Sequence, residues 1–176
     1  LGSLTTTNLS ALDGTQAAAL TTTQLRSLST TQLGSLNATD VGEFTAVQIA
    51  ALTTAQAQSL SSTQLAGLAD TQIQAFTTTQ IAALSTTQVR NLTTDILSAL
   101  DTTQVAALTA TQISNLSTTN LNSIDATKLN SLSATQVRGL TTTQLIAFDT
   151  TTMSALDTTR YGALTATQVK AFTTTQ

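Results

Sequence analysis

The sequence predicts an all-α solenoid, a superhelical spiral of very short N-capped helices with one helix per eight-residue repeat. Three observations predict it. One phrase, [Leu/Val/Ile]-x-[Ala/Ser]-[Leu/Phe]-[Thr/Ser/Asp]-x-Thr-Gln, repeats 22 times without a slip and fills residues 1–176. Its fifth position carries a helix N-cap residue in nearly every octad, and its first and fourth positions carry apolar side chains. A unit this small cannot bury a core alone, so it is stable only when stacked on copies of itself.

The fifth position of the octad predicts where each helix begins. It is Thr, Ser, Asp or Asn in every octad except the one with Ala69, where Asp70 stands a position late and is expected to replace the cap only in part. These four residue types are the strongest N-caps. In most octads Gln follows three residues later, which gives a capping box flanked by a hydrophobic staple, as in Leu84–Val89. A helix begun there has room for about six residues, roughly one and a half turns.

The other positions of the octad predict how the helices pack. The apolar first and fourth residues are expected to point to a shared axis, the small third residue to permit close approach, and the variable second residue to face solvent. The seventh position is Thr in every octad except those with Val47, Ala55 and Asp95. We interpret it as packing between coils, and alternatively as an exposed Thr array that binds ice. Lys128 and Arg160 replace the Gln, and their long stems are expected to cover apolar surface.

A β-solenoid is the alternative fold. Thr, Val and Ile favour strands, and Thr triplets such as Thr77–Thr79 would form regular ladders. Against it, the apolar positions are spaced three and five residues apart, which breaks the period of two that a strand requires. Gly is also scarce and Pro is absent, although tight β-coils must turn. A single continuous helix fits worse, because an eight-residue period would rotate the apolar stripe by about 80° per repeat. Disorder is disfavoured by the regular supply of large aliphatic residues.

The composition excludes several classes of function. The chain has no Cys and no His, which removes the usual zinc and haem ligands and thiol or imidazole catalysis. A net charge of −3 argues against nucleic acid as a partner. No apolar run is long enough for a membrane span, and no signal peptide is recognisable.

The carboxylates and hydroxyls do not form a recognisable site. Most Asp residues stand at the cap position, where a negative charge meets the helix N-terminus favourably; these are Asp13, Asp101, Asp125, Asp149 and Asp157. Clustered oxygen ligands for calcium are missing, and no Ser has a partner base. We therefore predict no catalytic, cofactor-binding or metal-binding residue, no cofactor and no enzymatic activity.

The phrase Ala-Leu-Thr-Ala-Thr-Gln-Ile/Val, present at Ala107–Ile113 and Ala163–Val169, supports a family comparison. It resembles the octapeptide Leu-Thr-Thr-x-Gln-Ile/Val arrays of very large, secreted, RTX-like or adhesin-like bacterial surface proteins. The resemblance covers the whole chain and implies an extracellular repeat region, often type I-secreted, that acts as a stalk or fibre. It carries over no binding residues, because the glycine- and aspartate-rich calcium nonapeptides are absent.

The sequence as a whole predicts a structural repeat protein. We expect residues 1–176 to be a single array of 22 octads, cut from a longer array, that acts as a rod, stalk or filament segment of a secreted or cell-surface protein. Its expected partner is itself, through neighbouring repeats and through end-to-end or lateral assembly. The alternative function is a binding module that presents rows of Thr and Gln to ice or carbohydrate.

Overall fold

The computed structural model describes residues 5–176 and confirms the predicted all-α solenoid. None of these residues lies in a strand, so the β-solenoid alternative is wrong. The chain forms two compact units, Leu1–Gln88 and Val89–Gln176. The described residues form 21 helices, and each contains four to six residues.

The helices follow one another at intervals of eight residues, and each begins at the sixth position of an octad. In the first half of the chain they are α1 Thr6–Leu9, α2 Gly14–Ala18, α3 Thr22–Arg26, α4 Thr30–Gly34, α5 Ala38–Gly42, α6 Ala46–Ala51, α7 Thr54–Ser59, α8 Ser62–Ala66, α9 Asp70–Gln74, α10 Thr78–Ala83 and α11 Thr86–Arg90. In the second half they are α12 Thr94–Ala99, α13 Thr102–Ala107, α14 Ala110–Asn115, α15 Thr118–Asn122, α16 Ala126–Leu129, α17 Ala134–Gly139, α18 Thr142–Ala147, α19 Thr150–Ala155, α20 Thr158–Ala163 and α21 Ala166–Lys170.

The predicted capping boxes start these helices. At α10, the Thr77 side chain accepts a hydrogen bond from the Gln80 backbone N–H at 3.2 Å, and the Gln80 Oε1 atom accepts one from the Thr77 backbone N–H at 2.7 Å. At Ala69 only half of the box remains. Gln72 Oε1 still accepts from the Ala69 N–H, but the Gln72 N–H donates to the Ala69 backbone oxygen.

The turns between helices use extended backbone and need neither Gly nor Pro. At the α10–α11 junction, Leu84 has φ −54° and ψ 139°, and every described cap residue lies in the extended region, as Thr77 does at φ −70° and ψ 155°. No residue in the range 5–176 has a positive φ. One or two extended residues are therefore enough to redirect the chain, which explains why a sequence poor in Gly can turn once per octad.

The apolar first and fourth positions form the core, as predicted. First-position side chains from Leu9 to Met153 are at most 3% exposed, and fourth-position side chains from Leu28 to Leu156 are all buried. Helices three apart in the chain lie against each other, for example α4 on α7 and α14 on α17. Side-chain hydrogen bonds between coils join residues 25 to 31 positions apart, so one coil takes between three and four octads.

Two glycines on helices test the close approach of neighbouring coils. A Cβ atom added to Gly139 would lie 2.8 Å from Ala110 Cβ and 2.9 Å from the Ala110 carbonyl oxygen, whereas one added to Gly162 would meet nothing within 4 Å. We expect Gly139→Ala to lower the free energy of unfolding by about 1–3 kcal/mol, because the backbone of α14 must move. Gly162→Ala should raise it by up to about 1 kcal/mol, because Ala favours the helix.

Urea denaturation followed by circular dichroism measures both changes. A shift of the two variants in the same direction would contradict the packing of α17 on α14.

Candidate functional site

The eighth-position Gln side chain joins each coil to the one before it. The Gln80 Oε1 atom accepts from the Thr77 N–H, which is one of the unpaired donors at the start of α10. Its Nε2 atom donates to the carbonyl oxygens of Ile49 at 3.0 Å and Leu52 at 2.7 Å. These carbonyls lie at the end of α6, where a helix leaves acceptors unpaired. One amide therefore completes the start of one helix and the end of another.

The same contact recurs throughout both units. The donor follows its two acceptors by 28 residues and by 31 or 30 residues. The side chains that make it, here called the glutamine ladder, are Gln48, Gln56, Gln64, Gln72, Gln80, Gln88, Gln136, Gln144, Gln168 and Gln176. All except Gln176 are buried, with 2–6% exposure. No buried side-chain nitrogen or oxygen in residues 5–176 lacks a hydrogen-bond partner.

The sequence predicted only the capping half of this contact. A Glu would serve a capping box as well as a Gln, because both supply a side-chain oxygen. This chain nevertheless has Gln at the eighth position in 15 octads and Glu in none. The missing Glu is the signal that could have revealed the second half, since only the amide also donates a hydrogen bond.

The residues that replace Gln confirm that this position needs a donor. Arg160 donates from Nε to the Leu132 carbonyl oxygen at 2.9 Å, and Asn120 donates from Nδ2 to Leu92 at 2.7 Å. Lys128 donates from Nζ to the Ser98 carbonyl oxygen at 2.6 Å. Lys128 and Arg160 thus do more than cover apolar surface, because each bonds the preceding coil.

The cationic substitutes also pair with the acidic caps of their own helices. Lys128 Nζ lies 3.3 Å from an Asp125 carboxylate oxygen, and Arg160 Nη1 lies 3.1 Å from one of Asp157. The Lys128 backbone N–H that caps onto Asp125 is the main cause that lowers the pKa of that carboxyl group. Hydrogen bonds from the Thr103 side chain and the Gln104 N–H lower the pKa of Asp101.

The seventh-position Thr does not pack between coils, and the packing interpretation was wrong. This position is exposed in all 22 octads. The Gln one position later occupies the space between coils instead. The Thr row therefore lies on the surface, although no strand carries it in the part of the chain that the structure describes.

The second position faces solvent as predicted, but its longer side chains also reach the following coil. Asn122 donates from Nδ2 to the Ala147 carbonyl oxygen at 2.9 Å, and Asn130 donates to Ala155 at 2.7 Å. Arg138 Nε donates to the Ala163 carbonyl oxygen at 3.2 Å. These bonds run towards later coils, whereas those of the glutamine ladder run towards earlier ones.

The described residues do not assemble any other chemical site. In residues 5–176 no group of three or more Asp, Glu, Cys or His side chains is placed to hold a metal ion. No helix in that range is long and apolar enough to cross a membrane. Comparison of the sequence with protein-family models and with curated proteins finds no match.

A carboxylate in the glutamine ladder tests the donor requirement. We expect Gln80→Glu to lower the free energy of unfolding by roughly 3 kcal/mol or more at neutral pH, because a buried carboxylate would face two carbonyl oxygens without a donor. Gln16→Glu is the matched control. The Gln16 side chain is exposed and accepts from the Asp13 N–H, a contact that a carboxylate preserves.

The loss at Gln80→Glu should shrink as the pH falls. Burial raises the pKa of the new carboxyl group, so the folded state takes up a proton that the unfolded state binds only near pH 4. Thermal unfolding of both variants at pH 7 and pH 4 measures this effect. Equal stability of the two variants at pH 7 would show that the ladder needs no donor.

The acidic caps predict a separate pH dependence. The pKa values of Asp101, Asp125 and Asp149 are lowered in the folded chain, mainly by hydrogen bonds to their carboxylates. Their stabilisation is therefore complete above the ordinary carboxyl range and is lost as the pH falls through the lowered values. We expect a lower melting temperature at pH 2.5 than at pH 6.

The triple variant Asp101→Asn, Asp125→Asn and Asp149→Asn is the comparison chain, because Asn caps helices without titrating. It should lose less melting temperature between the two pH values than the parent does. An identical loss would assign the pH dependence to other groups.

Proposed function

We propose that this chain is a structural repeat protein whose length is its function, namely a rod, stalk or fibre segment. The observation that supports the proposal most directly is the glutamine ladder. Each ladder residue makes the same contact with the coil before it, so whole octads can be added without creating a new kind of interface. In such an array, stability grows as a sum of nearly identical contacts between neighbours.

The proposed location is outside the cell, secreted or attached to a bacterial surface. The resemblance of Ala107–Ile113 and Ala163–Val169 to the arrays of RTX-like and adhesin-like proteins supports this location. We propose no enzymatic activity, because the hydroxyl and carboxylate groups are used as helix caps along the whole array. A rod of this kind can also associate with further copies of itself, laterally or end to end.

Insertion of whole repeats tests the rod. We expect each added copy of the three octads Val105–Lys128 to lengthen the molecule by a constant step on the order of 10 Å, the spacing of packed helices. Small-angle X-ray scattering gives the maximum dimension of chains with one, two and three extra copies. A compact domain would instead grow with roughly the 0.38 power of its length, and that dependence would contradict the proposal.

Insertion of half an octad is the matched control. Four extra residues displace every later ladder donor from its acceptors, so this chain should lose stability although it is only slightly longer. Protease treatment of intact cells of the source organism tests the location separately. A chain that stays protected until the cells are lysed would contradict surface exposure.

The exposed Thr row favours a second function, binding to ice or a carbohydrate surface. The seventh position is exposed in every octad and is still Thr in 19 of them, whereas the exposed second position varies widely. Gln cannot share this role, because the Gln side chains of the ladder are buried. Thermal hysteresis that Thr79→Lys, Thr111→Lys and Thr135→Lys abolish together, and that lysines at Ala82, Ser98 and Ala106 do not, would establish ice binding.

A further inference from the structure

The first coil carries ladder donors without acceptors. Gln16 and Gln24 accept hydrogen bonds from the backbone N–H groups of Asp13 and Thr21 through Oε1, as every capping-box Gln does. Their side chains are exposed, and their Nε2 atoms donate to no described residue. Both side chains are therefore already held by one hydrogen bond, with the donating end facing solvent.

The last coil carries the matching acceptors. The carbonyl oxygens of Leu156, Leu164 and Phe172, all at the fourth position, accept from no described residue. The first-position side chains beside them are 38% exposed at Tyr161 and 49% exposed at Val169. Earlier first-position side chains are at most 3% exposed. This coil thus presents polar and apolar groups that the rest of the array covers.

The two surfaces match in register. If a second copy continued the array, its Gln16 would follow Leu164 by 28 residues and Tyr161 by 31, the separations of the Gln56 contacts. Its Gln24 would stand in the same relation to Phe172 and Val169. The match holds because the 176 residues contain whole octads only.

We propose that the first coil of one copy of this chain binds the last coil of another, head to tail, through the donors of Gln16 and Gln24. The occupant is a second copy because the contact continues the interface that each unit already makes between its own coils. A longer array makes the same contacts with its own next octads, so the contact is a property of the octad. The inference rests on the proposed structural function, and as a heterologous interface it gives open polymers or closed rings.

Sedimentation velocity of the 176-residue chain over a range of concentrations tests the proposal. We expect concentration-dependent association that Gln16→Glu with Gln24→Glu weakens by about tenfold or more, because two carboxylates then face carbonyl oxygens. Folding should be retained, since a carboxylate still accepts from the cap N–H. Ala66→Glu with Ala106→Glu adds the same charge at exposed second positions and should leave association unchanged.

A mixing experiment establishes the polarity. Val169→Lys blocks the other surface, so each blocked chain should be monomeric alone. An equimolar mixture should associate, because one joint then pairs carboxylates with an ammonium group and the other is unaltered. A monomeric parent chain at all concentrations would overturn the proposal, and so would association that survives Gln16→Glu with Gln24→Glu. Neither result would touch the rod itself, whose length is measured on monomers.

Discussion

The eighth-position side-chain amide is the contact on which the rest of this structure depends. A helix of five residues has more unpaired backbone groups at its ends than bonds in its middle, so an array of such helices is a problem of satisfying ends. Gln80 solves that problem at two ends with one group, by accepting from Thr77 and donating to Ile49 and Leu52. The apolar first and fourth positions then close over these bonds and exclude water from them.

The local features of the fold could be predicted from the sequence, because their causes lie within one octad. The Leu84–Val89 signature places a cap, a box and a staple in six residues, and helices begin at the predicted position throughout. The buried and exposed positions followed from the repeat in the same way, with one exception. The seventh-position Thr was assigned to packing because it hardly varies, but an exposed residue is equally constrained when it has a role at the surface.

The relations between coils could not be predicted, because they depend on residues about 28 positions apart. The number of octads per coil comes from the sum of small backbone rotations, such as those at Leu84, and no single residue encodes that sum. The donor role of Gln left one trace, the absence of Glu. Arg160 and Lys128 looked like unrelated lapses until their bonds to Leu132 and Ser98 showed what they share with Gln.

The direction of the glutamine ladder bears on how the chain reaches its folded state during synthesis. Each ladder donor bonds to carbonyl groups that precede it, so a coil that leaves the ribosome meets an acceptor surface that is already complete. Contacts of such short sequence separation also keep the contact order low, which favours rapid folding. The wait before a newly made coil docks is then the time needed to translate about 30 residues, and it stays the same however many octads follow.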